Sequence, residues 1–179
     1  MRTGRLLMRI FVPFMLAAGL LFCLVALAAA ADRNGPVYEP VDRIIVEKSK
    51  RTMTLIRQHQ EVGVYRVALG RDPIGPKTMQ GDNRTPEGLY FVDHKIRNSV
   101  FHRALHLTYP SLDDLKRADS LGVSPGSDIT IHGLGKKQLW MGDVQYLFDW
   151  TSGCIALTNS EIEEVWDLVP LWTPVEIRP

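Results

Sequence analysis

Two regimes of apolar patterning divide this chain. From Ile10 to Ala31 apolar residues follow one another with Pro13 as the only breaker, and polar Asp32-Arg33-Asn34-Gly35 ends the run. Beyond it, apolar positions come in short runs with the two-residue period of strands, or in β-branched clusters. Asp42–Glu47 (DRIIVE), Thr52–Arg57 (TMTLIR) and Glu61–Leu69 (EVGVYRVAL) predict three strands, the first two joined by a turn at Lys48–Arg51. Gly88–Asp93 (GLYFVD), Ala104–Tyr109 (ALHLTY), Asp128–His132 (DITIH) and Pro174–Ile177 predict four more. Two stretches predict helices. Ser111–Asp119 opens on a good N-cap and carries acids in its first turn. Glu161–Val169 follows Ser160, with Glu163 placed to close a capping box; it puts Ile162, Val165, Trp166 and Val169 on one face and stops at Pro170. The Gly- and Pro-rich stretches at 70–88 and 122–127 read as loops. The whole predicts a mainly β domain, barrel-like or a sandwich, with two short peripheral helices.

The N-terminal regime has a different meaning. Arg2, Arg5 and Arg9 precede the apolar run, which ends in Ala28-Ala29-Ala30-Ala31. A basic start, an apolar centre and a small-residue end are the layout of a secretory signal. The run of 22 residues is also long enough to span a bilayer, so an uncleaved anchor is the alternative. Cys23 follows Phe22 rather than a small residue, which argues against lipid attachment there. Both readings export the rest of the chain, so the expected organisation is a signal or anchor at 1–31, a Pro- and Gly-bearing linker at 32–41, and one domain at 42–179. The expected location is the periplasm, with attachment to the inner membrane if the signal is uncleaved. Without the three leader arginines, 21 − 3 = 18 basic residues face 20 acidic ones, a net charge of −2. That balance disfavours nucleic acid or another polyanion as a partner.

The export reading gives the cysteine count its force. Of two cysteines only Cys154 lies beyond the leader. A lone thiol in an oxidising compartment is a liability unless it is used, although a buried inert thiol is the plain alternative. Its neighbours favour use. In Ser152-Gly153-Cys154, Gly153 lets a substrate carbonyl approach and frees backbone N–H groups to face it. A position near the start of the second helix would also lower the thiol pKa. Among the five histidines (His59, His94, His102, His106, His132), His132 ends the strand Ile129-Thr130-Ile131 beside Gly133 and Gly135, a common placement for a titratable catalytic group.

Ile131-His132-Gly133 followed by Ser152-Gly153-Cys154-Ile155 resembles the catalytic motif of the L,D-transpeptidases, the YkuD-type domains. Gly81-Asp82-Asn83-Arg84-Thr85-Pro86-Glu87-Gly88 is similar to that family's Thr-Pro-Glu-Gly loop, and Leu107-Thr108-Tyr109-Pro110 resembles a Gram-negative branch. The resemblance spans residues 42–178. It implies a barrel-like domain in which Cys154 attacks the carbonyl of an L-centre in a peptidoglycan stem peptide. The resulting thioester passes to an amine, to a wall-anchored lipoprotein lysine, or to water. His132 would take the thiol proton, the Gly133 backbone would orient the ring, and the Gly153 and Cys154 N–H groups beside Ser152 would hold the oxyanion. No cofactor is implied.

One departure stands out. Many members carry Arg two residues after the cysteine, where this chain has Ala156, so a carboxylate clamp must come from elsewhere, and Arg84 is the candidate. A sortase-like enzyme would need an essential later Arg, and only Arg178 follows Cys154; papain-like endopeptidases run Cys before His. A wall-binding module with an unused site is the non-enzymatic alternative. His102 and His106 share a strand face but lack further ligands at matching spacing, so no metal site is expected. Trp150 is expected to line the site; Trp140, Trp166 and Trp172 are expected in the core, and Asn159 as a helix cap.

Overall fold

The computed structural model describes residues 39–179. The expected signal or anchor at 1–31, and the linker residues up to 38, lie outside the described residues. In chain order the strands are β1 (Arg43–Glu47), β2 (Thr52–Arg57), β3 (Gln60–Arg66), β4 (Gly88–Ser99), β5 (His102–Leu107), β6 (Thr130–His132), β7 (Ile155–Ala156) and β8 (Pro174–Arg178). The helices are α1 (Leu112–Ser120) and α2 (Asn159–Leu168), with a 3₁₀ segment over Leu139–Leu147. The strands form one sheet in the order β3-β2-β1-β8-β4-β5-β6-β7. β1 and β8 pair in parallel, as do β6 and β7, and the other neighbours are antiparallel.

The sheet curls back on itself. Ala68, just past β3, exchanges both backbone hydrogen bonds with Ala156 of β7, at 3.1 and 2.9 Å, and Gly70 bridges to Thr151. The two ends of the sheet therefore meet through a short bridge, which removes exposed edges there. The predicted mainly β, barrel-like class with short helices is the observed one.

Alternation explains what is inside. Ile44 and Val46 of β1, Tyr90 and Val92 of β4, and Leu105 and Leu107 of β5 are buried, with Ile131 and Ile155 between them. α2 closes this core with Ile162, Val165 and Trp166. Burying each such aliphatic side chain contributes roughly 1.5–3 kcal/mol. Val41, assigned to the linker from sequence, belongs to this packing: it is buried, and its N–H donates to the Leu168 carbonyl at 3.0 Å.

α1 begins where expected, with Ser111 as cap and Asp114 closing the box. α2 begins two residues earlier than expected. Thr158 is its cap and Glu161 the partner, not Ser160 and Glu163. Both pairs fit the same spacing, and the sheet decides between them. The Leu157 N–H still donates to the His132 carbonyl, so Thr158 is the first residue free to cap. β4 runs to Ser99, well past the expected Asp93, because the charged outer half of the β4–β5 hairpin extends beyond the core. Lys95 lies over the Trp166 ring, and its ammonium donates to the carbonyls that end α2.

Candidate active site

The parallel pair β6–β7 is the frame. Ile131 pairs with Ile155 and His132 with Ala156, so Thr130 and Cys154 enter the ladder side by side. The Cys154 sulfur lies 3.6 Å from the Thr130 hydroxyl, which can donate to it, and 3.6 Å from the Asp128 carbonyl, which accepts from the thiol. A cleft of about 240 Å³ opens over this pair, lined by Arg71, Phe101, His132, Gln138, Trp150, Thr151, Ser152 and Cys154. A larger hollow, about 790 Å³, lies between Asp42, Arg43, Leu89, Glu176 and Arg178. It carries no nucleophile and no imidazole, so the smaller cleft is the one with chemistry.

His132 is held in one tautomer. Its Nδ1 lies 2.7 Å from the Gly133 carbonyl, which can only accept, so Nδ1 bears the proton and Nε2 is left as an acceptor. Phe101 stacks on the ring with centroids 4.4 Å apart, and Trp150 meets its edge at 5.7 Å. This burial lowers the His132 pKa from 6.5 to about 4, and the Gly133 hydrogen bond opposes the shift only in part. The ring is therefore a neutral imidazole at neutral pH. Gly133 itself is needed for space: a Cβ there would lie 2.6 Å from the Asn159 side-chain oxygen and 2.9 Å from Ile162.

The lowered pKa has a consequence for stability. In the unfolded chain His132 takes up a proton near pH 6.5, and in the folded protein only near pH 4. Between these values the unfolded state binds more protons, so stability is lost as pH falls through that window. The expected loss between pH 7 and pH 5 is about 2 kcal/mol from this group. Urea denaturation across that range should read it, and His132→Gln should flatten the slope; an unchanged slope would refute the attribution.

The turn before Cys154 is built by Thr151. Its hydroxyl donates to the Cys154 carbonyl at 2.7 Å and accepts from the Gly153 N–H at 3.1 Å. That corrects one expectation, because the Gly153 N–H is already engaged. The Cys154 N–H has no acceptor among the described residues and remains the donor available to an oxyanion. Gly153 sits at φ +130° with its Cα against the Arg84 carbonyl, where a Cβ would lie 2.6 Å from that oxygen. The expected help from a helix N-terminus is not built in: β7 separates Cys154 from α2, whose first turn is capped by Thr158 and Glu161.

The remaining sequence-based candidates divide between the cleft and other surroundings. Trp150 lines the cleft, its indole N–H donating to Gln145, which also donates to the Ala156 carbonyl. Ser152 lies at the rim. The Arg84 guanidinium is turned away onto Asp72 at 2.8 Å, so it is not the cleft's cation. Asn159 is not the cap of α2; it accepts from the Leu134 N–H at 2.7 Å and secures the loop after His132. His102 pairs with Glu163 and His106 with Asp93. Trp166 is buried as expected, but Trp140 and Trp172 are exposed, at 75% and 65%.

Sequence reasoning missed Phe101, Thr130, Thr151 and Arg71. Thr130 was visible in principle, since it alternates with His132 on the same strand face. Phe101 reaches the site only because the β4–β5 hairpin is long.

The YkuD family model, described as the L,D-transpeptidase catalytic domain, matches residues 41–177. The chain belongs to that family. It is similar to "Putative L,D-transpeptidase YafK" of Escherichia coli (strain K12), at 29% identity over 143 residues, which is 76% of this chain and 48% of that protein. It is also similar to the correspondingly named YqjB of Bacillus subtilis (strain 168), at 27% identity over 75% of this chain and 69% of that protein. The chain thus spans about half the length of YafK. Among solved structures, the helical cell shape determining protein Pgp2 from Campylobacter jejuni shares the fold, with a TM-score of 0.58, 23% identity, and 78% of this chain and 48% of that chain covered. An L,D-transpeptidase from Mycobacterium tuberculosis H37Rv does so with a TM-score of 0.55, 18% identity, and 78% and 58% covered.

Proposed function

We propose that this chain is an exported L,D-transpeptidase that remodels peptidoglycan stem peptides with Cys154 as nucleophile and His132 as base. The observation that carries the proposal is the fixed tautomer of a buried, neutral His132, whose Nε2 is left as the acceptor in the cleft that Cys154 shares. Family membership supports the reaction class, and the basic start with its apolar run supports export to the periplasm or anchoring at the inner membrane.

The chemistry follows from these groups. His132 Nε2 takes the thiol proton as Cys154 Sγ bonds to the carbonyl of the L-centre preceding the terminal D-residue. The Thr130 hydroxyl steadies the charge on sulfur, and the Cys154 N–H meets the oxyanion. The C–N bond then breaks, and the departing amine carries away the proton that His132 returns. An amine from a second stem peptide, or from a lysine of a wall-anchored lipoprotein, attacks the thioester and gives its proton to His132. A new amide forms and the thiol is restored. Water in place of the amine makes the same site a carboxypeptidase or amidase.

Incubating the full chain with a purified disaccharide tetrapeptide, alone and with a second stem peptide or a lysine-bearing lipoprotein fragment, tests this. Mass spectrometry should find the released D-residue and a new amide-linked product, with Cys154→Ala inactive. Trimmed tripeptide alone, in the presence of acceptors, would replace transfer by hydrolysis. No turnover, together with no Cys154 adduct from a carbapenem, would overturn the enzymatic reading in favour of a wall-binding module.

A further inference from the structure

We propose that Arg71 is the carboxylate-binding residue of the cleft and makes the enzyme select stem peptides that end in a free α-carboxylate; this rests on the transpeptidase reading above. Ala156 brings no cation to the cleft, and Arg71 enters its lining from another segment of the chain. Arg71 stands at the end of the bridge that closes the sheet. Its backbone N–H donates to the Thr151 carbonyl at 3.1 Å, and Gly70 before it pairs with Thr151. The residue is thereby stitched to the same turn that presents Cys154.

Its side chain lines the cleft and is left without a charge partner. Nη1 makes only long contacts, 3.4 Å to the Asn83 side-chain oxygen and 3.4 Å to the Ser152 hydroxyl. Among the described residues no carboxylate lies within ion-pair distance of it. The nearby acids are engaged: Asp72 holds Arg84 at 2.8 Å, Asp149 holds Arg51 at 2.7 Å, and Asp82 holds Lys77 at 2.7 Å. Arg71 is also the only cationic side chain among the residues lining the cleft, which it shares with the aromatic pair Phe101 and Trp150. A forked guanidinium on a rigid mount matches a carboxylate through two parallel hydrogen bonds. The terminal carboxylate of the departing D-residue is the group of that chemistry which lies next to the bond being cut. A peptide amidated or extended at its end would leave Arg71 unmatched.

Two measurements on the full chain test this. The first compares the alkylation of Cys154 by iodoacetate, which carries a carboxylate, and by neutral iodoacetamide, followed on the Cys154 peptide by mass spectrometry. Arg71→Gln should lower the iodoacetate rate several-fold and leave the iodoacetamide rate unchanged, with Arg71→Lys in between. The second compares a tetrapeptide with its C-terminal carboxamide. Arg71→Gln should raise KM for the acid by about 10- to 100-fold, the range for a lost hydrogen bond to a charged group, and leave the amide unaffected. Equal turnover of acid and amide by the unaltered chain, or an unchanged alkylation ratio in Arg71→Gln, would overturn the assignment and leave the catalytic reading standing. A thiol inert to both reagents in a chain inert to both peptides would bring down the catalytic reading, and this assignment with it.

Discussion

His132→Ala is expected to slow acylation of Cys154 by about 10²- to 10⁴-fold, the usual contribution of a positioned general base. The size follows from geometry. The ring is held by the Gly133 carbonyl, by stacking on Phe101 and by the edge contact with Trp150, and it is the only imidazole among the residues lining the cleft. His102 and His106 are engaged by Glu163 and Asp93. Single-turnover adduct formation with a carbapenem, timed by mass spectrometry, reads the rate directly. Because the substitution leaves a ring-sized gap against Phe101 and Trp150, added imidazole should restore part of the rate. Rescue by imidazole distinguishes a lost base from a disturbed fold, which a small molecule would not repair. An unchanged acylation rate in His132→Ala would remove the residue from the mechanism.

How much of this site can be read before the fold is known depends on the distance over which each signal acts. Cys154 and His132 are legible because their neighbours are local: the Ser-Gly-Cys turn, and a strand ending at His-Gly. The core faces of β1, β4 and α2 are legible for the same reason, since period alone marks them. Features set by tertiary register are not. Two overlapping cap signatures precede α2, and only the Leu157 bond to His132 selects Thr158. Arg71 and Arg84 lie in one loop region with similar local surroundings, and it is the bridge from Gly70 to Thr151 that turns one toward the cleft while Asp72 takes the other. The Gly153 N–H looks free in the sequence, but the Thr151 hydroxyl, two residues earlier, accepts from it. Trp140 and Trp172 mislead because large aromatic residues predict burial only on average.

The Thr-Pro-Glu-Gly loop is the clearest case of a motif whose meaning lies in the fold, and it sets the second large effect. Lys48→Met is expected to lower stability by about 3 kcal/mol, the low end for breaking a buried ion pair, since Glu87 keeps some solvent contact. The Lys48 side chain is 2% exposed; its ammonium lies 2.8 Å from Glu87 and 3.0 Å from the Thr85 carbonyl, and it also donates to the Gly75 carbonyl. The methionine keeps the apolar stem but leaves the Glu87 charge and two carbonyls without their donor. Glu87→Gln should cost less than this but be destabilising, and Lys48→Met combined with Glu87→Met should cost less than the sum of its parts by more than about 1 kcal/mol. Strict additivity in urea denaturation would show that Lys48 and Glu87 do not stabilise the fold as a pair. The same loop bears on the active turn. The Thr85 hydroxyl accepts from the Gly70 N–H at 3.0 Å, and the Arg84 carbonyl is what Gly153 packs against. A loop loosened at Lys48 therefore loosens the wall behind Cys154. The acylation rate of Lys48→Met, measured at a temperature where the variant is still folded, should fall below that of the unaltered chain.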